Sequence, residues 1–238
     1  FVLSKGQELA KGSDGAFDMT VGPVVKLWRI ARRTQKMPDE QELAEAKAKV
    51  GYRKMELNAK DRTVRLLVPG MRLDLGGIAK GYAADEAQVV LKKHGITSAL
   101  VAAGGDIAVS DAPPNSPGWK IAIEPLTKDS PHRSLRLQNA AVSTSGDAEQ
   151  FVVINGVRYS HIIDPKTGLG QTGRRSVTVV ANKGIDSDSM TKAVMILPRE
   201  KALALVEATD SAAALIIVLT DKGEDVKTSK CWADYVEK

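Results

Sequence analysis

Cysteine is nearly missing from this chain of 238 residues: Cys231 stands alone, so no disulfide can close within the chain and no cysteine-rich zinc site can be built. One cysteine leaves both redox compartments open. Histidine is almost as scarce, with only His94, His132 and His161. Aromatic residues make up 4% of the sequence, too few for the stacking platforms and basic clusters that hold nucleic acids. There is no long apolar run either. The longest, Ala212 to Leu219, reads as a buried strand and falls far short of the roughly 18 residues that span a bilayer. Neither sign of charge dominates: 34 basic and 29 acidic residues leave +5, interspersed along the chain. That mild balance suits a protein that meets a phosphate-bearing small molecule. With 43% hydrophobic and 26% charged residues, disorder and low complexity are excluded.

The length fits one large domain or two small ones, and no internal repeat or linker divides it. Pro113-Pro114-Asn115-Ser116-Pro117 reads as a surface loop. No signal peptide is visible, and the opening Phe1-Val2-Leu3 suggests a processed or excised piece. Apolar positions at Val2, Leu3, Leu9 and Ala10 before Gly12-Ser13 predict a helix, followed by a loop. Asp39 to Val50 has acids early and lysines late, as a helix dipole favours. Thr63 to Val68 predicts a strand, and Ile78 to His94 a helix stopped by basic residues and Gly95. Ala99 to Ala103, Ile107 to Val109, Trp119 to Glu124, Ser134 to Leu137, Ala140 to Thr144, Phe151 to Ile154 and Ser176 to Ala181 read as strands. Helices from about Ser187 to Leu197 and after Pro198, then strands at Ala213 to Leu219 and Val226 to Ser229, complete an α+β order.

Three clusters can carry chemistry. Asp74-Leu75-Gly76-Gly77 leads into a helix whose first turn holds Lys80. Backbone N–H groups at a helix start, glycines that admit a ligand, and a nearby ammonium suit a phosphate. The spacing matches neither a P-loop nor GxGxxG, and a plain strand-to-helix turn with a solvated Lys80 is the alternative. Asp188 and Thr191, three apart on a helix, can present two oxygens to a hard cation such as Mg²⁺. The alternative is that Ser187 or Asp186 caps the helix and Asp188 complements its dipole. Ser143-Thr144-Ser145 can line a pocket with hydroxyls. His161 precedes an Asp164-Pro165 turn and can act as a general base if held beside a reacting hydroxyl, or serve structure alone. His94 ends a helix and His132 sits in a polar loop, so neither is a candidate.

In combination these stretches resemble the ApbE family of FAD:protein FMN transferases. The matching segments are Ser13 to Asp18 with Thr20-Val21-Gly22-Pro23, Asp74 to Tyr82, Ala103 to Ile107, Thr144-Ser145-Gly146-Asp147, Tyr159 to Gly168, and Asp188 to Leu197. They run in family order over nearly the whole chain. The resemblance implies a single domain of mixed, mainly antiparallel sheet with packed helices. It implies Mg²⁺-dependent transfer of the FMN half of FAD to a threonine or serine hydroxyl of an acceptor flavoprotein, a subunit of a membrane redox complex or a related electron carrier, with AMP leaving. By the same resemblance Ala16, Phe17, Asp18, Asp74, Lys80 and Ile163 contact FAD. Gly77 supplies a carbonyl, and Asp188 and Thr191 side-chain oxygens, to the metal. His161 activates the acceptor, and His161 and Asp188 are the residues expected to carry catalysis.

Two departures from the family pattern stand out. Four residues after the metal-binding aspartate the family usually has another hydroxyl, and here stands Lys192, which as a cation would compete with the metal or hold a phosphate itself. Family members also usually carry a segment before the first helix, so the chain is expected to be incomplete at its N-terminus. They are typically exported, often as lipoproteins, and export is the expectation here. An FAD pyrophosphatase yielding FMN and AMP, and a flavin-binding protein without catalysis, are the alternative functions.

Overall fold

The computed structural model describes residues 1–146 and 150–237. It is an α+β fold. Helix α1 (Val2–Gly12) ends where Gly12 predicts. The segment after it, expected to be a loop, holds a further helix, α2 (Gly22–Thr34). Its start has no capping side chain at Val21 and a proline in the first turn. Proline's fixed φ suits that position even though Gly-Pro reads as turn punctuation. Helix α3 (Glu40–Ala48) follows, capped by the Asp39 carboxylate, which accepts from Gln41 N and Glu42 N at 2.9 and 3.1 Å.

Strands β1 (Met55–Asn58) and β2 (Thr63–Leu66) form a hairpin; β1 was not anticipated. Helix α4 (Ala79–Lys93) ends at His94. The main sheet then builds from β3 (Leu100–Ala103), β4 (Asp106–Val109), β7 (Ala140–Gly146), β11 (Arg175–Ala181), β12 (Ala213–Thr220) and β13 (Gly223–Thr228). Their order is β13-β12-β11-β7-β4-β3, antiparallel throughout.

Period-two alternation sorts its two faces. Val177, Val179, Ala214 and Ile216 pack on helix α5 (Gly184–Ile196) and helix α6 (Arg199–Glu207) through Met190, Val194, Ala202 and Val206. Val142, Val180, Ala213, Leu215 and Ile217 pack instead on the hairpin of β5 (Trp119–Ile123) and β6 (Arg133–Leu137), together with Trp232. A second sheet of β8 (Phe151–Ile154), β9 (Val157–Ile163) and β10 (Gly170–Thr172) packs against α2 and α3 through Val152, Ile154, Val24, Trp28 and Ala46. The Trp28 indole donates to Gly168 O at 2.8 Å and fixes α2 to the turn after β9.

Helices α4 and α5 cross at glycine. A Cβ on Gly81 would lie 1.9 Å from Gly184 O, and one on Gly184 would lie 2.5 Å from Gly81 O. Backbone meets backbone there, and each helix caps the other. Asp85 of α4 accepts from Gly184 N and Ile185 N at 2.7 and 3.0 Å, while Asp188 of α5 accepts from Gly81 N at 3.1 Å. The alternative reading, in which Ser187 or Asp186 caps α5, does not hold, and the expected start near Ser187 is corrected. The helix begins one turn earlier, its cap residue Lys183 makes no side-chain capping bond, and its free N–H groups are satisfied across the interface.

Candidate active site

A cavity of about 530 Å³ opens where the two sheets, α2, α5 and the start of α4 converge. That is the size of a small-molecule or cofactor site. Every expected FAD-contacting residue lines it: Ala16, Phe17, Asp18, Asp74, Lys80 and Ile163. So do Gly76, Gly77, Thr144, Ser145 and His161. Asp147, the last residue of one matching segment, lies outside the described residues.

The glycine turn before α4 is held by Asp74. Its carboxylate accepts from Gly76 N at 2.9 Å and pairs with Arg29 of α2 at 2.8 Å. Lys80 is partly exposed, yet it is tethered rather than free as the alternative reading has it. Its ammonium lies 2.5 Å from the buried Asp106 carboxylate and donates to Gly104 O at 3.2 Å. A lysine so tethered holds its charge in place at the cavity wall. Burial pushes the Asp18 carboxyl, also in the cavity wall, above the usual range, although Thr20 donates to it through N and Oγ1 at 2.7 and 2.6 Å.

His161 sits near the end of β9, and its Nδ1 lies 3.0 Å from Gln150 O. A carbonyl only accepts, so Nδ1 carries the hydrogen and Nε2 keeps its lone pair. Burial lowers the imidazole below its ordinary value, and Lys192, Arg32 and Lys80 add to the lowering, against the Gln150 carbonyl. The ring is a neutral base among cations.

Strand β7 and helix α5 are joined by hydroxyls. Ser143 Oγ meets Ser187 Oγ at 2.9 Å, and Ser145 Oγ meets Thr191 Oγ1 at 2.7 Å. Of this ladder Ser145 also faces the cavity, whereas Ser143 is turned to α5. Asp188 and Thr191 are fully buried, and they are reached from the cavity by way of Lys192. The Lys192 ammonium pairs with Asp188 Oδ1 and donates to Thr191 Oγ1 at 3.0 Å. Its stem lies against Gly77, where a Cβ would come 3.2 Å from Lys192 Cγ. The three residues expected around Mg²⁺ thus converge on one lysine side chain.

These donors do not fit a metal at that position. A hydroxyl has one hydrogen and two lone pairs. Thr191 gives its hydrogen to Asp188 O at 2.7 Å and accepts from Ser145 and Lys192, so nothing is left for a cation. Both Asp188 oxygens are engaged, by Lys192 and by Gly81 N. Among the described residues no three His, Cys, Asp or Glu side chains cluster as metal ligands.

Arg29 and Arg32 line the cavity from α2, where the sequence punctuation predicts a loop and so hides them. The spacing of Val21, Val24, Trp28 and Ala31 was the available signal. Asp106 and Gln150 act by holding Lys80 and His161, a role with no pattern in one dimension.

The ApbE family is matched over residues 1–216. The FAD:protein FMN transferase of Haemophilus influenzae is 34% identical over 244 residues, covering 99% of this chain and 70% of that protein. That of Treponema pallidum is 35% identical over 232 residues, covering 91% and 64%. The chain therefore spans about two thirds of the length of these curated relatives. Among solved structures, the flavin transferase ApbE from Vibrio cholerae superposes with a TM-score of 0.88 at 32% identity, over 98% of this chain and 75% of that one. The apo flavinyl transferase ApbE of Pseudomonas stutzeri gives 0.84 at 30%, over 98% and 73%. The fold, a cavity lined by each family-matching segment and this similarity agree: the chain belongs to the ApbE family.

Proposed function

We propose that this chain is an FAD:protein FMN transferase that moves the FMN half of FAD onto a threonine or serine hydroxyl of an acceptor flavoprotein and releases AMP. The observation that carries the reading is His161. Its Nδ1 is fixed on Gln150 O, Nε2 is left as the base, and the ring shares a cavity with the glycine turn and with Lys80 and Lys192.

In this reaction the acceptor oxygen attacks the FMN-side phosphorus of the pyrophosphate. A new P–O bond forms there, the bond from that phosphorus to the bridging oxygen breaks, and the bridging oxygen leaves with AMP. The hydroxyl proton passes to Nε2 of His161. General-base help of this kind contributes about 10²- to 10⁴-fold. Lys80, anchored by Asp106, and the N–H groups at the start of α4 favour the anionic donor. Phosphoryl transfer depends mainly on positioning and on such fixed charge. The family resemblance also implies Mg²⁺, a redox-complex acceptor and export. The last two belong to the proposal, whereas at the position formed by Gly77, Asp188 and Thr191 the reaction is assigned to the lysine charge that stands there.

Incubating the chain with FAD and a threonine-bearing acceptor domain tests the reading. Covalent flavin fluorescence on the acceptor after denaturing electrophoresis, matched mole for mole by AMP, is the expected result. AMP formed equally without acceptor would instead make the protein a pyrophosphatase, and bound FAD with neither product a flavin carrier.

A further inference from the structure

We propose that Lys192 is a built-in counter-charge for the FAD pyrophosphate, seated between Asp188 and Thr191, so that FAD binds here without a divalent cation at that position. The proposal rests on the flavin-transferase reading and specifies how this chain holds its donor.

Three observations carry it. First, the Lys192 side chain runs between Gly77, Asp188 and Thr191, with its stem against Gly77 and its ammonium at the point shared by the two side-chain oxygens. A divalent ion and an ammonium cannot share that point. Second, a lysine has three N–H donors. One goes to Asp188 and one to Thr191. The third has no partner among the described residues, and Lys192 lines the cavity with its side chain 14% exposed.

Third, the surroundings make the seat rigid. Asp188 is held by the Gly81 N–H across the glycine crossing, and Thr191 is held by Ser145 of β7. The ammonium therefore cannot follow a ligand outwards without abandoning a fully buried carboxylate. It acts as a fixed positive group, the arrangement that favours charge on a phosphoryl oxygen. Asp188 shares that charge, so the ammonium acts on the phosphate as a charge-assisted donor through its remaining N–H. Lys80 and Arg32 line the same cavity, and both also depress His161. Arg32 forms no ion pair with any other described residue.

FAD binding to the purified chain, followed by quenching of flavin fluorescence, separates the outcomes. The wild-type dissociation constant is expected to be the same in EDTA as in millimolar Mg²⁺, within about twofold. Lys192→Met, of similar length and uncharged, should weaken binding about tenfold or more in both conditions, the loss of one charge-assisted hydrogen bond. Lys192→Thr restores a hydroxyl and frees Asp188; it should weaken binding in EDTA and recover about tenfold when Mg²⁺ is added. Circular dichroism checks that each variant is folded, and the wild-type comparison decides the matter even if neither variant folds. Wild-type binding that rises tenfold with Mg²⁺, unchanged affinity in Lys192→Met, or no Mg²⁺ rescue in Lys192→Thr overturns the proposal and leaves the transferase reading standing. No FAD binding by the wild type in either condition overturns both.

Discussion

At the scale of single residues the chemistry turns on which nitrogen of His161 is free. The Gln150 carbonyl fixes Nδ1–H inwards, so the base is Nε2 and its protonation switches the reaction off. Because burial and the neighbouring cations lower the imidazole below its ordinary 6.5, the neutral form persists further into acid. The acid limb of kcat/KM, which reports the free enzyme, is therefore expected to have its midpoint below pH 6.5. His161→Gln should lower transfer by about 10²- to 10⁴-fold while FAD still binds, and should abolish that limb. A pH–rate profile and a binding titration on the two proteins check this. An acid limb that survives in the variant would assign the titration to another group. The legible part of the site lies at this scale. Asp74, Lys80 and His161 are polar residues in short glycine-bearing segments whose chemistry is legible in the sequence, and Asp18 joins them by the family resemblance. Of their partners, Asp106 falls in a matching segment but without a role, since it reaches Lys80 from 26 residues away in sequence, and Gln150 is not legible because it acts through a backbone carbonyl.

At the scale of elements, the pairing of α4 with α5 positions everything that depends on Asp188. Two facing glycines allow it, since backbone atoms of each helix occupy the volume that a side chain would need on the other. Gly81→Ala should destabilise the fold by about 3 kcal/mol or more, because the atom in the way is a carbonyl oxygen rather than a movable side chain. Asp85→Ala leaves Gly184 N and Ile185 N without their acceptor and should cost roughly 1–2 kcal/mol. Urea unfolding of both variants measures these losses. A Gly81→Ala protein as stable as the wild type would mean that the helices sit further apart than described. Most helices and strands were legible in the sequence, through glycine stops, acid-to-base gradients and alternation. Helix α2 was hidden by its start, where Gly22-Pro23 follows an uncapped Val21, and with it went Trp28, Arg29 and Arg32. The early start of α5 was equally hidden, because its cap is a carboxylate about a hundred residues back in the chain.

At the scale of the molecule, the cavity is where two sheets meet that share no ladder among the described residues. The six-stranded sheet brings Ser145 and Ser176 to it; the three-stranded sheet brings His161 and Ile163; α2, packed on the latter, brings Val25 and Arg32. No sequence pattern joins these residues, and only the family resemblance gathered several of them into one site. Each sheet has its own hydrophobic cluster, and the cavity lies between them. A ligand that fills the cavity adds contacts to both sides at once and should couple them. FAD present at about a hundred times its dissociation constant should stabilise the protein by roughly 2.7 kcal/mol if it binds only the folded chain. Amide exchange should slow in α2 and β9 as well as in β7 and α5, since opening either side would release the same ligand. Hydrogen exchange with and without FAD, resolved by peptide, measures this. Protection confined to α2 and β9 would mean that FAD is held by the smaller sheet alone, and the fixed charges of Lys80 and Lys192 would then have to act on the donor only as the acceptor arrives.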